Sequence, residues 1–251
     1  MSTKDCAVVL AGGVGSRLMP YTTVLPKPLM PVGDRPILEI VLRQLAAAGF
    51  ERIILAVNHR DALLRAVLGD GSAFGVELIY SKESQPLGTI GPLHPVADQL
   101  GTSFLVMNGD LLTDLDYRAF LEAHRAGDAG LSVGVVPREQ PIDYGVIEIG
   151  PDSRATGFRE KPTLDLWVSM GVYAMDRNVL RLVPPGRPFG FDNLMLTLLE
   201  RQVPVATRPH RGQWFDIGRP DDFEAATAAF LNHEDRFLPA PTPVAAAGAA
   251  G

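Results

Sequence analysis

An apolar run at 6–11 leads straight into Leu10-Ala11-Gly12-Gly13-Val14-Gly15-Ser16-Arg17-Leu18. Glycines that follow a strand can present bare backbone N–H groups to phosphate, so Leu10, Ala11, Gly12, Gly13 and Gly15 form a candidate phosphate cradle. Two cations follow closely: Arg17, and Lys27 in an extended Leu25-Pro26-Lys27-Pro28-Leu29 segment. Together they can close over a polyphosphate from two sides. Two standard nucleotide motifs do not fit. A dinucleotide fingerprint needs glycine where Leu18 stands, and a P-loop needs lysine before its Ser/Thr where Ser16-Arg17 occur.

A second chemical feature is Leu105-Val106-Met107-Asn108-Gly109-Asp110, an apolar strand ending in a carboxylate. Open α/β sheets place ligand-binding residues at such strand ends. Mg²⁺, which a nucleotide would bring, takes one or two carboxylates plus phosphate oxygens, and Asp110 suits that role. Asp114 and Asp116 read as turn or cap residues instead. His59, His94, His124, His210 and His233 show no zinc-ligand spacing. Cys6 reads as a small buried hydrophobe and Trp214 as core.

These residues need a scaffold, and the apolar periodicity supplies one. Strands are expected at 6–11, 52–57, 76–80 and 104–108, alternating with helices at 37–48, 61–68, 92–100 and 117–126. Repeated β-α-β implies a doubly wound, mostly parallel Rossmann-like α/β sheet. Beyond it, strand-like runs at 131–136, 145–149, 156–160 and 167–173 predict an antiparallel addition. Helical periodicity returns at 178–183, 193–201 and 221–231, where Asp221 or Asp222 is the expected cap. The expected organisation is one catalytic domain over 1–238 and a disordered tail over 239–251, whose Pro, Ala, Thr, Val and Gly offer little to bury.

The 251 residues are 46% apolar and 21% charged, which excludes disordered, collagen-like and coiled-coil classes. The net charge of −6 argues against nucleic acid as a partner, and no apolar run reaches the length of a membrane span. One cysteine and no signal-peptide pattern point to the cytoplasm. Homo-oligomerisation is compatible with the sequence and not specified by it.

The combined pattern GGxGxRL followed by PKPLMPV resembles the sugar-1-phosphate nucleotidylyltransferases, the group that includes glucose-1-phosphate thymidylyltransferase and mannose-1-phosphate guanylyltransferase. The likeness covers about 7–230 through GGxGxRL, PKP, the strand-end Asp110, EKP at Glu160-Lys161-Pro162, and WFDIG at Trp214–Gly218. It implies transfer of a nucleotidyl group from a nucleoside triphosphate to a sugar 1-phosphate, with Mg²⁺ held by Asp110 and Asp216. Only the resemblance pairs those two aspartates. It also implies that Arg17 and Lys27 neutralise the departing phosphates, that Lys161 meets the sugar phosphate, and that Glu160 accepts from sugar hydroxyls. Asn108, Tyr144, Gly145, Ser169 and Gly171 complete the sugar side, so the antiparallel addition is the expected sugar-binding part.

By the same comparison Gln85, Gly88 and Thr89 form the base-side loop. Pro86-Leu87-Gly88-Thr89-Ile90-Gly91-Pro92-Leu93 is closest to the guanylyltransferase form, which often has Glu where Gln85 stands. A carboxylate suits the N–H donors of guanine, whereas an amide matches a pyrimidine edge; Glu83 is an alternative acceptor. The longer match puts GTP ahead of dTTP and UTP, and mannose- or heptose-type sugars ahead of glucose. Thymidylyl or uridylyl transfer to a hexose 1-phosphate, and a non-catalytic sugar-nucleotide sensor, stay open as alternatives.

Overall fold

The computed structural model describes residues 5–13, 15–58, 61–83 and 85–238; the expected tail at 239–251 and Val14 of the glycine stretch lie outside them. The strands are β1 Cys6–Leu10, β2 Pro31–Val32, β3 Arg35–Pro36, β4 Arg52–Val57, β5 Glu77–Lys82, β6 Ser103–Asn108, β7 Leu111–Thr113, β8 Leu131–Pro141, β9 Val146–Ile149, β10 Ala155–Arg159, β11 Thr163–Asp176, β12 Val205–Pro209 and β13 Trp214–Asp216. The α-helices are α1 Ile37–Ala47, α2 Asp61–Leu68, α3 Tyr117–Arg125, α4 Phe191–Glu200, α5 Pro220–Asn232 and α6 Glu234–Phe237. No helix among the described residues is long and apolar enough to cross a membrane.

Seven strands make the central sheet in the order β12-β8-β11-β6-β1-β4-β5, and β11 alone runs antiparallel to its neighbours. Alternate side chains of β1 face opposite layers. Ala7 and Val9 join Leu38, Val41, Leu42 and Leu45 of α1 and Tyr117, Phe120 and Leu121 of α3; Cys6 and Val8 join Ile90, Leu93 and Val96 and, from α4, Leu194 and Leu198. Each fully buried aliphatic side chain of this kind stabilises by roughly 1.5–3 kcal/mol. Cys6 is therefore the small core residue expected, with burial pushing its thiol up to about 12. A third cluster packs Phe230 of α5 and Phe237 of α6 on Leu18, Met30, Ile40, Leu112 and Ile217, fastening the chain's later part beneath the glycine-rich region.

Connectivity reverses at β1. The chain passes from β1 to β4 and β5 on one side, then returns with β6 on the other, so the carboxyl ends of β1 and β6 flank the switch point where open α/β sheets bind ligands. Leu10 lies opposite both Ala56 and Asn108. The residues just past these strand ends are Gly12, Asn58 and Asp110.

Several elements differ from expectation. The expected helices at 92–100 and 178–183 are 3₁₀ turns, Gly91–Gln99 and Arg177–Leu182; in the first, Pro92 and Pro95 lack the N–H that an α-helix needs. Lys27 begins a short 3₁₀ turn, Lys27–Leu29, rather than lying in an extended segment. α5 starts at Pro220, whose ring suits the first helical position, so Arg219 precedes the helix and Asp221 and Asp222 sit in its first turn without capping it. β8 and β11 run well past the expected ends as an exposed ribbon, and the edge strand β12 had no clear apolar alternation to signal it.

Candidate active site

A cavity of about 490 Å³ opens at the switch point, lined by Leu10, Gly12, Gly13, Lys27, Asn58, Glu83, Gln85, Gly88, Thr89, Asn108 and Asp110 among others. The glycine-rich loop therefore forms one wall, and the loop expected on the base side forms another. Ala11 is buried in the ladder, its N–H donated to Ala56 O at 2.8 Å. Gly15 and Arg17 are not part of the lining.

The acidic pair is assembled by a small antiparallel ladder. β7 begins immediately after Asp110, and Leu111 pairs with Asp216 of β13, while the Ile217 N–H donates to Asp110 O at 3.2 Å. Lys27, 8% exposed, pairs its Nζ with Asp110 Oδ2 and lies 3.5 Å from Asp216 Oδ1. Burial pushes the Asp110 carboxyl above its ordinary range, Lys27 opposes that rise, and the Asp216 charge adds to it. Arg17 reaches the same spot: a Cβ at Gly218 would lie 3.1 Å from Asp216 Oδ1, 3.2 Å from Arg17 Nη2 and 3.4 Å from Lys27 Nζ. The last glycine of WFDIG thus leaves room for three charged groups to converge.

Asp114 and Asp116 have the structural roles expected of them. Asp116 Oδ1 accepts from Ala119 N–H at the start of α3. Asp114 Oδ1 accepts from Gln213 N–H at 2.8 Å and faces His210 Nε2 at 3.0 Å, bracing the loop before β13. Trp214 is half-buried against the core and donates its indole N–H to Met170 O at 2.9 Å.

The base-side loop is laced to the segment before α4. Phe189 N–H donates to Leu87 O at 2.8 Å, and Ile90 and Gly91 N–H both donate to Phe189 O at 3.0 Å. Thr89 Oγ1 accepts from Phe191 N–H, and Gln85 Nε2 donates to Gly186 O at 2.9 Å. Gly88 has φ +80° and a Cβ there would meet Phe189 O at 2.9 Å, so only glycine fits this crossing. Glu83 Oε2 accepts Leu87 N–H at 2.8 Å, and burial raises its carboxyl above the usual range.

The residues expected on the sugar side form a separate group on the exposed addition. A Cβ at Gly145 would lie 2.7 Å from Phe158 Cε2 and 3.3 Å from Glu160 Oε2, so Gly145, Phe158 and Glu160 meet across the hairpin, while Tyr144 is 79% exposed. Lys161 holds φ +40°, a backbone region that non-glycine residues enter at a cost of order 1 kcal/mol. Ser169 Oγ accepts Gly171 N–H at 3.3 Å, and Gly171, φ +74°, presses on Asn108, where a Cβ would meet Nδ2 at 2.6 Å. Asn108 is thus shared by cavity and sugar side; Tyr144, Gly145, Glu160, Lys161, Ser169 and Gly171 do not line the cavity. Asn58 escaped sequence reasoning, although it follows the end of β4 as Asp110 follows β6. Thr22, 3% exposed against Gly15, gave no sequence signal.

The cavity at the switch point thus has Lys27 and Asp110 in its glycine-rich lining, with Asp216 and Arg17 beside them. The chain belongs to the nucleotidyl transferase family, whose model matches residues 6–233. It is 34% identical over 228 residues to the mannose-1-phosphate guanylyltransferase of Mycobacterium tuberculosis (strain ATCC 25618 / H37Rv), covering 88% of this chain and 63% of that protein. It is 31% identical over 241 residues to the mannose-1-phosphate guanyltransferase of Kluyveromyces lactis, covering 93% and 66%. The chain therefore spans a little under two thirds of the length of these relatives. Among solved structures, a Bacillus anthracis protein provisionally assigned as a glucose-1-phosphate thymidylyltransferase and crystallised with sucrose superposes with a TM-score of 0.73 at 26% identity, covering 88% of this chain and 93% of that one. HddC from Yersinia pseudotuberculosis does so with a TM-score of 0.71 at 25% identity, covering 90% and 99%.

Proposed function

We propose that the protein transfers a guanylyl group from GTP to a mannose-type sugar 1-phosphate, forming an NDP-sugar and pyrophosphate. The observation that carries this reading is that Lys27 and Asp110 line the glycine-walled cavity and Asp216 converges on the same lysine. An oxygen of the sugar phosphate attacks the α-phosphorus, the α–β P–O bond breaks, and its electron pair leaves with pyrophosphate. The attacking phosphate is already ionised near neutral pH, so the protein supplies positioning and charge neutralisation rather than a general base.

The two carboxylates fit a hard divalent cation: they already converge on one positive group, and their donor atoms are all oxygen. We assign Asp110 and Asp216 as holders of Mg²⁺, which when bound supplies Lewis-acid neutralisation of phosphate oxygens. The backbone N–H groups of the glycine loop, with Lys27 and Arg17, bind the triphosphate and neutralise the leaving group. Glu160 and Lys161 orient the sugar phosphate.

For the base we assign Glu83 as the acceptor, because its carboxylate lines the cavity and can take both guanine N–H groups, whereas Gln85, also in the lining, offers one amide oxygen and spends its Nε2 donor on Gly186 O. The reducing cytoplasm remains the compartment we assign, since Cys6 is buried and has no partner cysteine. The test is pyrophosphate release for each common nucleoside triphosphate against several sugar 1-phosphates, with and without Mg²⁺. Mg²⁺-dependent turnover led by GTP and mannose 1-phosphate supports the reading. Nucleotide-sugar binding without turnover would replace it with a sensor, and a strong dTTP preference would overturn the base assignment alone.

A further inference from the structure

Two side chains from outside the glycine-rich loop hold its carbonyl groups. Thr22 Oγ1 donates to Gly15 O at 2.7 Å, and Asn58 Nδ2 donates to Gly12 O at 2.7 Å. Thr22 belongs to the 3₁₀ turn Tyr21–Thr23, and Asn58 follows β4. Gly15 has φ +68°, and a Cβ there would lie 2.8 Å from Thr22 Cγ2 and 3.2 Å from Lys27 Cβ. Thr22 therefore touches the loop on the side where the loop meets the stem of Lys27. The Leu18 N–H donates to the same Gly15 carbonyl at 3.0 Å, so this oxygen is doubly held.

In a trans peptide the C=O of one residue and the N–H of the next point to opposite sides of the plane. A carbonyl turned toward a phosphate repels it, whereas an N–H attracts it. Anchoring Gly12 O turns the Gly13 N–H away from Asn58, and anchoring Gly15 O turns the Ser16 N–H away from Thr22. A loop without these anchors samples peptide orientations in which carbonyls meet the ligand, and its apparent affinity falls with the competent fraction.

We propose that Thr22 and Asn58 are positioning residues of the nucleotide site: they fix the peptide planes of the glycine-rich loop so that N–H groups face the triphosphate, and Thr22 sets the loop's spacing from Lys27. This rests on the nucleotide-binding reading above. The experiment measures GTP affinity by titration calorimetry on the full chain, alongside KM for each substrate and the melting temperature. Thr22→Val keeps the branched shape and loses the donor; Thr22→Ser keeps the donor and loses the methyl; Asn58→Leu keeps a similar size and loses the donor without adding charge. Thr22→Val and Asn58→Leu are expected to weaken GTP binding roughly tenfold, the scale of one directed hydrogen bond, with KM for the sugar phosphate unchanged and Thr22→Ser near wild type.

Unchanged GTP affinity in both donor-less variants overturns the proposal. So does Thr22→Ser as impaired as Thr22→Val, or both KM values rising together, since either outcome marks a purely structural role. If Thr22→Val does not fold, Asn58→Leu decides. A wild-type chain that binds GTP but releases no pyrophosphate sinks the transfer reaction and leaves the affinity comparison decisive, whereas one that binds no nucleoside triphosphate overturns both.

Discussion

The proposed nucleotide side and the proposed sugar side of this molecule are built on different principles. On the proposed nucleotide side, loops leave the buried ends of β1, β4 and β6, the Gly12 and Gly15 carbonyls of the first are tied down, and Lys27 is enclosed between two carboxylates. On the sugar side, Tyr144, Glu160 and Lys161 stand on an exposed ribbon and hairpin beyond the core. Preorganisation is therefore concentrated where the proposed reaction would meet phosphate charge, while the residues proposed for the sugar side have few buried contacts to set their positions. Loss of a group on the first side should cost turnover and stability; loss on the second should cost substrate affinity alone.

The largest effect is expected from Asp110→Asn and Asp216→Asn, each lowering turnover at least about a hundredfold with the fold retained, because each removes charge at the phosphate-transfer centre. Steady-state pyrophosphate release at saturating Mg²⁺ with circular dichroism checks this, and near-wild-type turnover in either variant breaks the two-carboxylate assignment. Lys27→Met should also destabilise the fold, by about 3 kcal/mol, because the buried Asp110 carboxylate loses its partner. Lys161→Ala, on the exposed side, should leave denaturant stability unchanged; equal losses in the two variants would erase the contrast.

Substrate affinities sharpen the division further. Arg17→Ala is expected to weaken nucleotide binding about tenfold and Lys161→Ala sugar-phosphate binding by a similar factor, each leaving the other substrate unaffected, as charge-assisted contacts to separate anions require. Crossed effects in calorimetric titrations would mean that the two cations share an anion. Gln85→Glu sets a carboxylate against the Gly186 carbonyl oxygen, so it should raise KM for GTP about threefold. A carboxylate that instead improved GTP use over dTTP would return the base contact to position 85.

The smallest effect concerns Asp61, which ties α2 to Lys82 at the end of β5, the strand leading into the base-side loop. Hydrogen bonds from Arg65 and then Lys82 hold its carboxyl at about 2, against an ordinary 3.8. As pH falls the unfolded chain takes up this proton first, so the stabilisation is complete above 3.8 and is lost as pH falls through about 2. Denaturant titrations of Asp61→Asn and wild type should differ modestly at neutral pH and converge in acid; a gap that persists at pH 2 would show that Asp61 contributes by packing.

Local chemistry in the sequence was enough to mark the parallel half. Apolar runs of strand length, glycines after the first and a carboxylate after the fourth follow from side-chain period and strand-end placement, and so locate Gly12, Gly13 and Asp110. The 3₁₀ character of Gly91–Gln99 and the start of α5 at Pro220 departed from the expected helices at 92–100 and 221–231, although proline's missing N–H, which acts within one turn, marks both. Pairing Asp110 with Asp216 was different. From the residues alone nothing joins them; likeness to a family suggested the pair, and the β7–β13 ladder brings it about through backbone hydrogen bonds between distant segments. The same holds for Thr22 on Gly15, Asn58 on Gly12 and Gln85 on Gly186, contacts that depend on where separate loops meet. Periodicity and turn chemistry act over a few residues and are written in order along the chain, whereas which carbonyl a distant side chain reaches is set only when sheet order and packing bring the loops to one edge.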